Sequence, residues 1–451
     1  MDKARETALK VIYKIDKENS YSNIVLNEFL KNDNTLNNKD VGLISEIIYG
    51  VTTWKLTLDE IIKKYSKIRL NKISPWILNI LRMSIYQIIF LDKIPKSAAV
   101  NEGVNLAKRY GNKGSVGFTN AVLRKITKND YEELFNEKDE IKKVSKTMSM
   151  PEWIIKELLK DGLDIEQVRE ICKASNIHPN VTIRINNLKT NKEELKEKLI
   201  EEKIEFQDGI LDDFLILKKV RNLEKLDLFQ QGYFTVQDEA AGLTALILNP
   251  QKGENVLDAC SSPGGKTTYM AELMQNSGKI EAWDIHEHRT KLVKNTANRL
   301  KINIIETKVN DASRENDQYI EKFDKILLDV PCLGIGVLKR KPDIKWQKNI
   351  EDINEISKVQ LQILETCSKY LKPGGNLVYS TCSIFKEEND KIIEKFLKNN
   401  LNFKIEKIEL DEKNGEKYFE KYLKNKEYLQ VYQNEKTDGF FICKLAKNRQ
   451  K

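Results

Sequence analysis

The chain has 451 residues, 40% hydrophobic and 32% charged, with a net charge of +8. That length exceeds one hydrophobic core and implies two or three domains, while no apolar run approaches the roughly 20 residues that cross a bilayer. The six cysteines, at 172, 260, 332, 367, 382 and 443, form no CxxC pair and are joined by only three histidines, so neither structural zinc nor any other metal nor a disulfide framework is expected. Met1 leads into "DKARETALK", a charged helical start rather than a signal peptide; a cytoplasmic protein with reduced thiols is the expectation.

The charge is uneven. Residues 1–130 carry 22 Lys/Arg against 13 Asp/Glu, and the rest of the chain carries 54 against 55. A basic module beside a near-neutral one suits a polyanion partner. The alternative is the solvated surface of a Lys-rich composition. Through residue 128 the pattern is helical. "ARETALKVIYKI" puts Ala8, Leu9, Ile12 and Tyr13 on one face. "SPWILNILRMSIYQIIFL", 74–91, has Pro75 in a first helical turn before a dense apolar stripe. "SAAVNEGVNLAKRYG", 97–111, ends on Gly111 as a cap, and "GSVGFTNAVLRKI", 114–126, follows as another helix. Arg82, Lys108, Arg109, Lys113, Arg124 and Lys125 lie among these helices and are candidates for a phosphate-facing surface. These segments resemble the NusB-type helical RNA-binding domain.

Residues 129–175 read as charged helices. A small α+β module follows: strand "NVTIRIN" (180–186), helix "NKEELKEKLIEE" (191–202) and strands with a turn near Gly209 in 204–219. From about 234 strands and helices alternate. The strands are 255–260, 279–285, 304–310, 323–330, 375–382 and 439–446, a pattern that predicts a parallel sheet covered on both faces.

The chemistry lies at the ends of these strands. "VLDACSSPGGKTTYMAELM", 256–274, is strand, Pro-Gly-Gly turn and helix, suited to close approach of a ligand. It is not a GxGxxG fingerprint. It approaches a P-loop, with Gly265, Lys266 and Thr267 in place but Cys260 where the first glycine belongs, and "ILLDVP" imitates a Walker B strand ending in Asp329. Against a nucleotide hydrolase, Asp284 ends the next strand about 20 residues past the glycines, where a carboxylate accepts ribose hydroxyls, and Asp311 follows the third strand near an adenine edge. Contacts of this kind suit adenosine held by sugar and base, the S-adenosylmethionine (SAM) arrangement. Loop-capping carboxylates are the alternative reading of either acid alone.

Strands four and five end in Asp329-Val330-Pro331-Cys332 and Thr381-Cys382, beside the methyl donor. A cysteine at a strand end is often a small buried hydrophobe. Two such thiols, with a carboxylate, suit methylation of carbon-5 of a pyrimidine. That carbon is a weak nucleophile until a thiolate adds to carbon-6 and turns the ring into an enamine. A free thiol is only a few per cent ionised at neutral pH, and Lys266 or a helix amino terminus can lower its pKa.

"DACSSPGGKT", "DVPCLGIGVLKRKPDIKW" and "YSTCSIFKEEND" resemble the RNA 5-methylcytosine methyltransferases of the Nop2/Sun class, and the NusB-like start narrows the resemblance to its RsmB type. The resemblance spans essentially the whole chain. It implies a multidomain architecture: an all-α NusB-like domain (1–130), a helical linker with a small α+β RNA-binding module (131–233), and an α/β Rossmann-like SAM-dependent methyltransferase domain (234–451). It further implies that a monomer methylates carbon-5 of a cytosine in 16S ribosomal RNA, with no membrane role. Carried over residue by residue, Cys382 is the nucleophile and Cys332 aids product release. Cys260, Ser261, Ser262, Pro263, Gly264, Gly265 and Lys266 form the cofactor loop, joined by Asp284, Asp311 and Asp329. Lys266 and Asp329 also grip the cytosine. "PDIKW", 342–346, matches a substrate-side loop, "DGFF", 438–441, the closing strand, and 411–430 reads as a variable insertion. The family commonly has "CAAPGGKT" where this chain has "CSSPGGKT", a small and tolerable change. A non-catalytic RNA-binding or antitermination factor, using residues 1–128 alone, is the remaining alternative.

Overall fold

A computed structural model describes residues 2–18, 20–31, 36–220 and 223–449. The chain divides into two compact units, Met1–His178 with Leu338–Asn349, and Pro179–Val337 with Ile350–Lys451.

The first unit is helical. It opens with α1 (Lys3–Glu18), α2 (Ser22–Lys31), α3 (Asn38–Tyr65), α4 (Pro75–Phe90), α5 (Lys96–Tyr110) and α6 (Lys113–Lys125), and three further helices span Glu140–Met148, Glu152–Lys160 and Ile165–Ala174. Helix α4 is apolar on nearly every side, so it is buried, with Ile77, Ile80, Leu81, Met83 and Ile85 inside the core. Pro75 stands at its first turn, where no amide donor is needed. The Trp76 ring stacks on Tyr13 at 3.7 Å and on Tyr110 at 4.5 Å. Among the described residues no helix is long and apolar enough to cross a membrane.

Arg82 does not face a phosphate surface, contrary to expectation. It is buried, its Nε and Nη2 donate to the two Asp59 oxygens at 2.7 and 2.8 Å, and Nη1 reaches Asp16 at 3.0 Å. A charge on the buried side of an apolar helix needs such partners. Arg109 is exposed but paired with Glu6, while Lys108, Lys113, Arg124 and Lys125 are exposed.

The segment read as a substrate-side loop packs with this helical unit. Asp343 accepts from the Ser22 hydroxyl at 2.7 Å and the Trp346 indole donates to the Thr52 carbonyl at 2.7 Å. Lys345 is buried, with its Nζ 2.6 Å from Asn176 Oδ1 and 3.3 Å from the carbonyls of Thr53 and Ser149. Burial pushes this ammonium down to about 7.

The second unit holds two sheets. A four-stranded antiparallel sheet contains β1 (Val181–Ile185), β2 (Phe206–Asp208), β3 (Phe214–Leu217) and β4 (Phe234–Val236), in the order β2-β3-β1-β4. The helix Lys192–Glu201 covers it with Leu195 and Leu199, and Asn191 caps that helix by accepting the Glu194 amide at 3.0 Å.

The larger sheet contains β5 (Asn255–Asp258), β6 (Lys279–Asp284), β7 (Ile305–Val309), β8 (Phe323–Asp329), β9 (Leu371–Thr381), β10 (Phe403–Ile405), β11 (Leu423–Lys424), β12 (Tyr428–Val431) and β13 (Phe440–Lys447). Its order is β11-β12-β13-β9-β8-β5-β6-β7, with β10 also on β13. Neighbouring residues of the apolar strands point to opposite cores. Val256, Leu327 and Val378 enter one, and Leu257, Leu328 and Leu377 the other. Cover on both faces explains their uninterrupted apolar runs.

Strands β5 to β9 run parallel, as expected, but the sheet is mixed. β13 pairs antiparallel with β9 and with β12. Only a short connection joins β12 to β13, and a parallel pair needs a crossover of a dozen residues or more. The stretch 411–430 contributes to this fold: Phe419 enters the core and the β11–β12 hairpin extends the edge.

Candidate active site

The carboxyl ends of β5, β6, β8 and β9 meet at one side of the parallel sheet, where open α/β folds bind ligands. The loop after β5 is fastened at several points. Both the amide and the hydroxyl of Ser261 donate to the Trp283 carbonyl at 2.8 Å, tying the loop to β6. The Ser262–Pro263 peptide is cis. Gly264 adopts φ +104°, in the left-handed region that favours glycine, and a Cβ there would lie 3.1 Å from the Val293 backbone. The helix Gly265–Leu273 begins at the next residue. Thr267 donates to Asp258 at 2.7 Å, and burial pushes the Asp258 carboxyl up to about 7. Cys260 is half-buried, and burial raises its thiol.

Asp284, at the end of β6, accepts the His286 amide at 3.1 Å and lies 3.3 Å from Arg289. Asp311, two residues past β7, accepts from the Ser313 hydroxyl at 2.6 Å and its amide at 3.0 Å, bonds that keep its carboxyl below the usual range. Both acids sit in tight turns at successive strand ends.

Lys266 points across the site. Its Nζ is 2.8 Å from Asp329 Oδ2 and 5.1 Å from the centre of the Phe440 ring. Burial alone would lower this ammonium, but Asp329 more than offsets the effect and holds it above the ordinary lysine value. Ser380 donates to the other Asp329 oxygen at 3.0 Å. A P-loop lysine must reach phosphates, and this one is committed to a carboxylate. The nucleotide-hydrolase reading loses its main support there.

The two cysteines come together. Cys332 Sγ and Cys382 Sγ are 3.0 Å apart, and both are half-buried. The contact with Cys382, followed by burial, pushes the Cys332 thiol well up. At this distance either sulfur can donate to the other. Lys266 is within electrostatic reach of Cys382, so a thiolate there has a counter-charge.

Two residues of this region were not singled out in the sequence. Arg184, the one charged residue inside the apolar strand "VTIRI", is fully buried. Its guanidinium donates to the Gly265 carbonyl at 2.7 Å, to Thr268 at 3.1 Å, to Glu272 at 2.7 Å and to Gln237, and lies over the Tyr269 ring. It joins the small sheet to the glycine turn. A lone arginine in a strand that reads as core signals a buried ion pair, though not its partner. Glu388, inside the second cysteine motif "YSTCSIFKEEND", is also fully buried, and no periodicity marks it.

The donor set fits SAM. Acceptors at successive strand ends suit ribose and adenine, and a helix start with no side chain at Gly264 and Gly265 admits close approach. Fold and site together define a SAM-dependent methyltransferase. Residues 245–446 match the family described as 16S rRNA methyltransferase RsmB/F, residues 2–128 the NusB family, and residues 150–224 the ferredoxin-like domain of RsmF/B-like methyltransferases. The probable ribosomal RNA small subunit methyltransferase B of Bacillus subtilis (strain 168) is 36% identical over 98% of both chains. Its namesake in Synechocystis sp. is 33% identical over 90% of this chain and 91% of the relative. The crystal structure of PH0851 covers 98% of both chains at 27% identity and a TM-score of 0.78. NSun6 from Pyrococcus horikoshii with SFG shares the fold over 65% of this chain and 97% of its own, at 22% identity and a TM-score of 0.56. The chain belongs to the ribosomal RNA small subunit methyltransferase B family.

Proposed function

We propose that the protein methylates carbon-5 of a cytosine in 16S ribosomal RNA through a covalent bond between Cys382 Sγ and carbon-6. The observation that carries this reading is the 3.0 Å approach of Cys332 and Cys382 beside the Lys266–Asp329 pair. SAM, held by the 260–266 loop, Asp284 and Asp311, supplies the electrophilic methyl group.

The chain's own groups do the rest. The Cys382 thiolate, with the Lys266 ammonium as its counter-charge, adds to carbon-6 and makes carbon-5 nucleophilic. Asp329 accepts from the exocyclic amine or from a protonated ring nitrogen-3, and Lys266 donates to the ring's acceptor face. After carbon-5 takes the methyl group, its proton leaves to a base. Elimination then restores the carbon-5–carbon-6 double bond and frees the Cys382 thiolate. Cys332, at hydrogen-bond distance from the departing sulfur, lends its proton to that step. The target base must leave its stack for carbon-6 to reach the thiolate. The exposed Lys108, Lys113, Arg124 and Lys125 are offered as phosphate contacts on the helical unit.

The test is transfer of tritium from methyl-labelled SAM to 16S rRNA, followed by nucleoside analysis. Label in 5-methylcytosine that vanishes with Cys382→Ala is expected. With Cys332→Ala a covalent RNA adduct accumulates on denaturing gels. Label in another nucleoside, or equal adduct in both variants, overturns the assignment.

A further inference from the structure

We propose that Glu388 is the positioning residue that sets the spacing of the two active-site thiols. The inference rests on the two-cysteine reading above and adds a residue that acts through both of them.

Each cysteine is flanked by residues tied into one buried polar group. The amide of Leu333, just after Cys332, donates to Glu388 Oε2 at 2.9 Å. The hydroxyl of Ser383, just after Cys382, donates to Glu388 Oε1. One carboxylate thus uses one oxygen for each cysteine loop. Gln360 reinforces the first loop, its Nε2 donating to Glu388 Oε2 at 3.0 Å and to the Pro331 carbonyl at 2.9 Å. Asn389 reinforces the second, accepting from the Thr381 hydroxyl at 2.6 Å and donating to the Ser383 carbonyl at 3.2 Å. The clamp itself is fixed, because the Tyr379 hydroxyl donates to the Glu388 backbone carbonyl at 2.7 Å.

Loops after strand ends are free to vary by ångströms, whereas a sulfur pair at hydrogen-bond distance tolerates much less. Gln360 holds only the Cys332 loop and Asn389 only the Cys382 loop. Among these three side chains Glu388 holds both loops. Aspartate is one methylene shorter and cannot span the two loops. Glutamine keeps the reach and an acceptor for Leu333.

The experiment reads the spacing directly, with neither RNA nor SAM. The full-length protein is treated with diamide, which takes two hydrogens from the thiol pair and leaves a Cys332–Cys382 disulfide, quantified by peptide mass spectrometry. We expect the cross-link to form at least 10-fold more slowly in Glu388→Ala and Glu388→Asp, and within about threefold of the native rate in Glu388→Gln. In methyl transfer, Glu388→Asp lowers kcat at least 10-fold, leaves KM for SAM within twofold, and accumulates the covalent RNA adduct. Native cross-linking rates in both Glu388→Asp and Glu388→Ala overturn the proposal. Should Glu388→Ala fail to fold, Glu388→Asp and Glu388→Gln still decide it. Should Cys382→Ala retain transfer, the covalent mechanism falls, while the cross-linking rates still report on Glu388.

Discussion

Replacing Arg184 by methionine separates the stability of the second unit from its hold on the cofactor. Arg184 is fully buried against Glu272, and removing one partner of a buried charge pair costs about 3–5 kcal/mol. The lower end is expected. Burial already pushes Glu272 up to about 7 despite the opposing Arg184, so in the variant Glu272 turns neutral at pH 7.5 rather than staying as an unpaired charge. The second effect is local. The Gly265 carbonyl loses its guanidinium donor at the turn that opens the helix. That carbonyl keeps the Thr268 hydroxyl at 3.1 Å, so what is lost is one charged hydrogen bond of roughly 1.5–3 kcal/mol, and at 1.4 kcal/mol per decade this corresponds to a loss of about 10- to 150-fold in SAM affinity. The double change Arg184→Met with Glu272→Leu restores much of the stability, because a buried ion pair exchanged for apolar groups is often neutral. It does not return the guanidinium to the Gly265 carbonyl, so the affinity stays low. Urea denaturation measures the first quantity and titration calorimetry with SAM the second. A folded Arg184→Met protein with native SAM affinity would show that the guanidinium does not hold the glycine turn.

Four further outcomes are expected. In Asp329→Asn, Lys266 loses the charge that holds its ammonium up; turnover falls about 10²- to 10³-fold and the pH–rate profile gains an alkaline limb, whereas a native profile contradicts the pairing. Lys345 drops from 10.5 to about 7 on folding, so between those values the unfolded chain holds a proton the folded chain has lost. The unfolding free energy therefore rises with pH by up to about 1.4 kcal/mol per unit from 7 to 10.5; urea midpoints at pH 7 and 9.5 should show this slope in the native protein and lose it in Lys345→Met. Gly336→Ala places a Cβ 2.2 Å from the Gly439 carbonyl oxygen and 2.8 Å from that of Cys382, costing about 1–3 kcal/mol and lowering activity at least 10-fold, as thermal melts and methyl transfer will show. Changing Lys108, Lys113, Arg124 and Lys125 together to Ala should reduce the slope of log K for RNA against log salt by up to about 3; an unchanged slope removes these residues from the interface.

The site was legible in the sequence where chemistry and local pattern coincide. Cys332 and Cys382 end adjacent apolar strands, and sheet geometry brings such ends together without knowledge of any distant partner. The placement of the glycine turn, Asp284 and Asp311 at the strand ends was readable for the same reason. Arg82 was misread because basicity is visible in a sequence and pairing is not: Asp59 and Asp16 lie 23 and 66 residues away. Arg184 and Glu388 escaped notice for that reason too, since their roles depend on neighbours 81 and 55 residues distant. The direction of β13 is set by the hairpin before it, and an apolar run alone does not encode direction.

The antiparallel β13 also bears on the order in which the protein is made. Phe440 lies under the Lys266 ammonium, and the Gly439 amide donates to the Gly336 carbonyl at 2.8 Å. Gly336 in turn donates to the Cys382 carbonyl at 2.9 Å. Translation must therefore pass residue 440 before the pocket has its last wall. Domains fold largely in the order of synthesis, yet here early segments of the second unit depend on late ones. A nascent chain thus carries no finished methylation centre while most of it is still being translated.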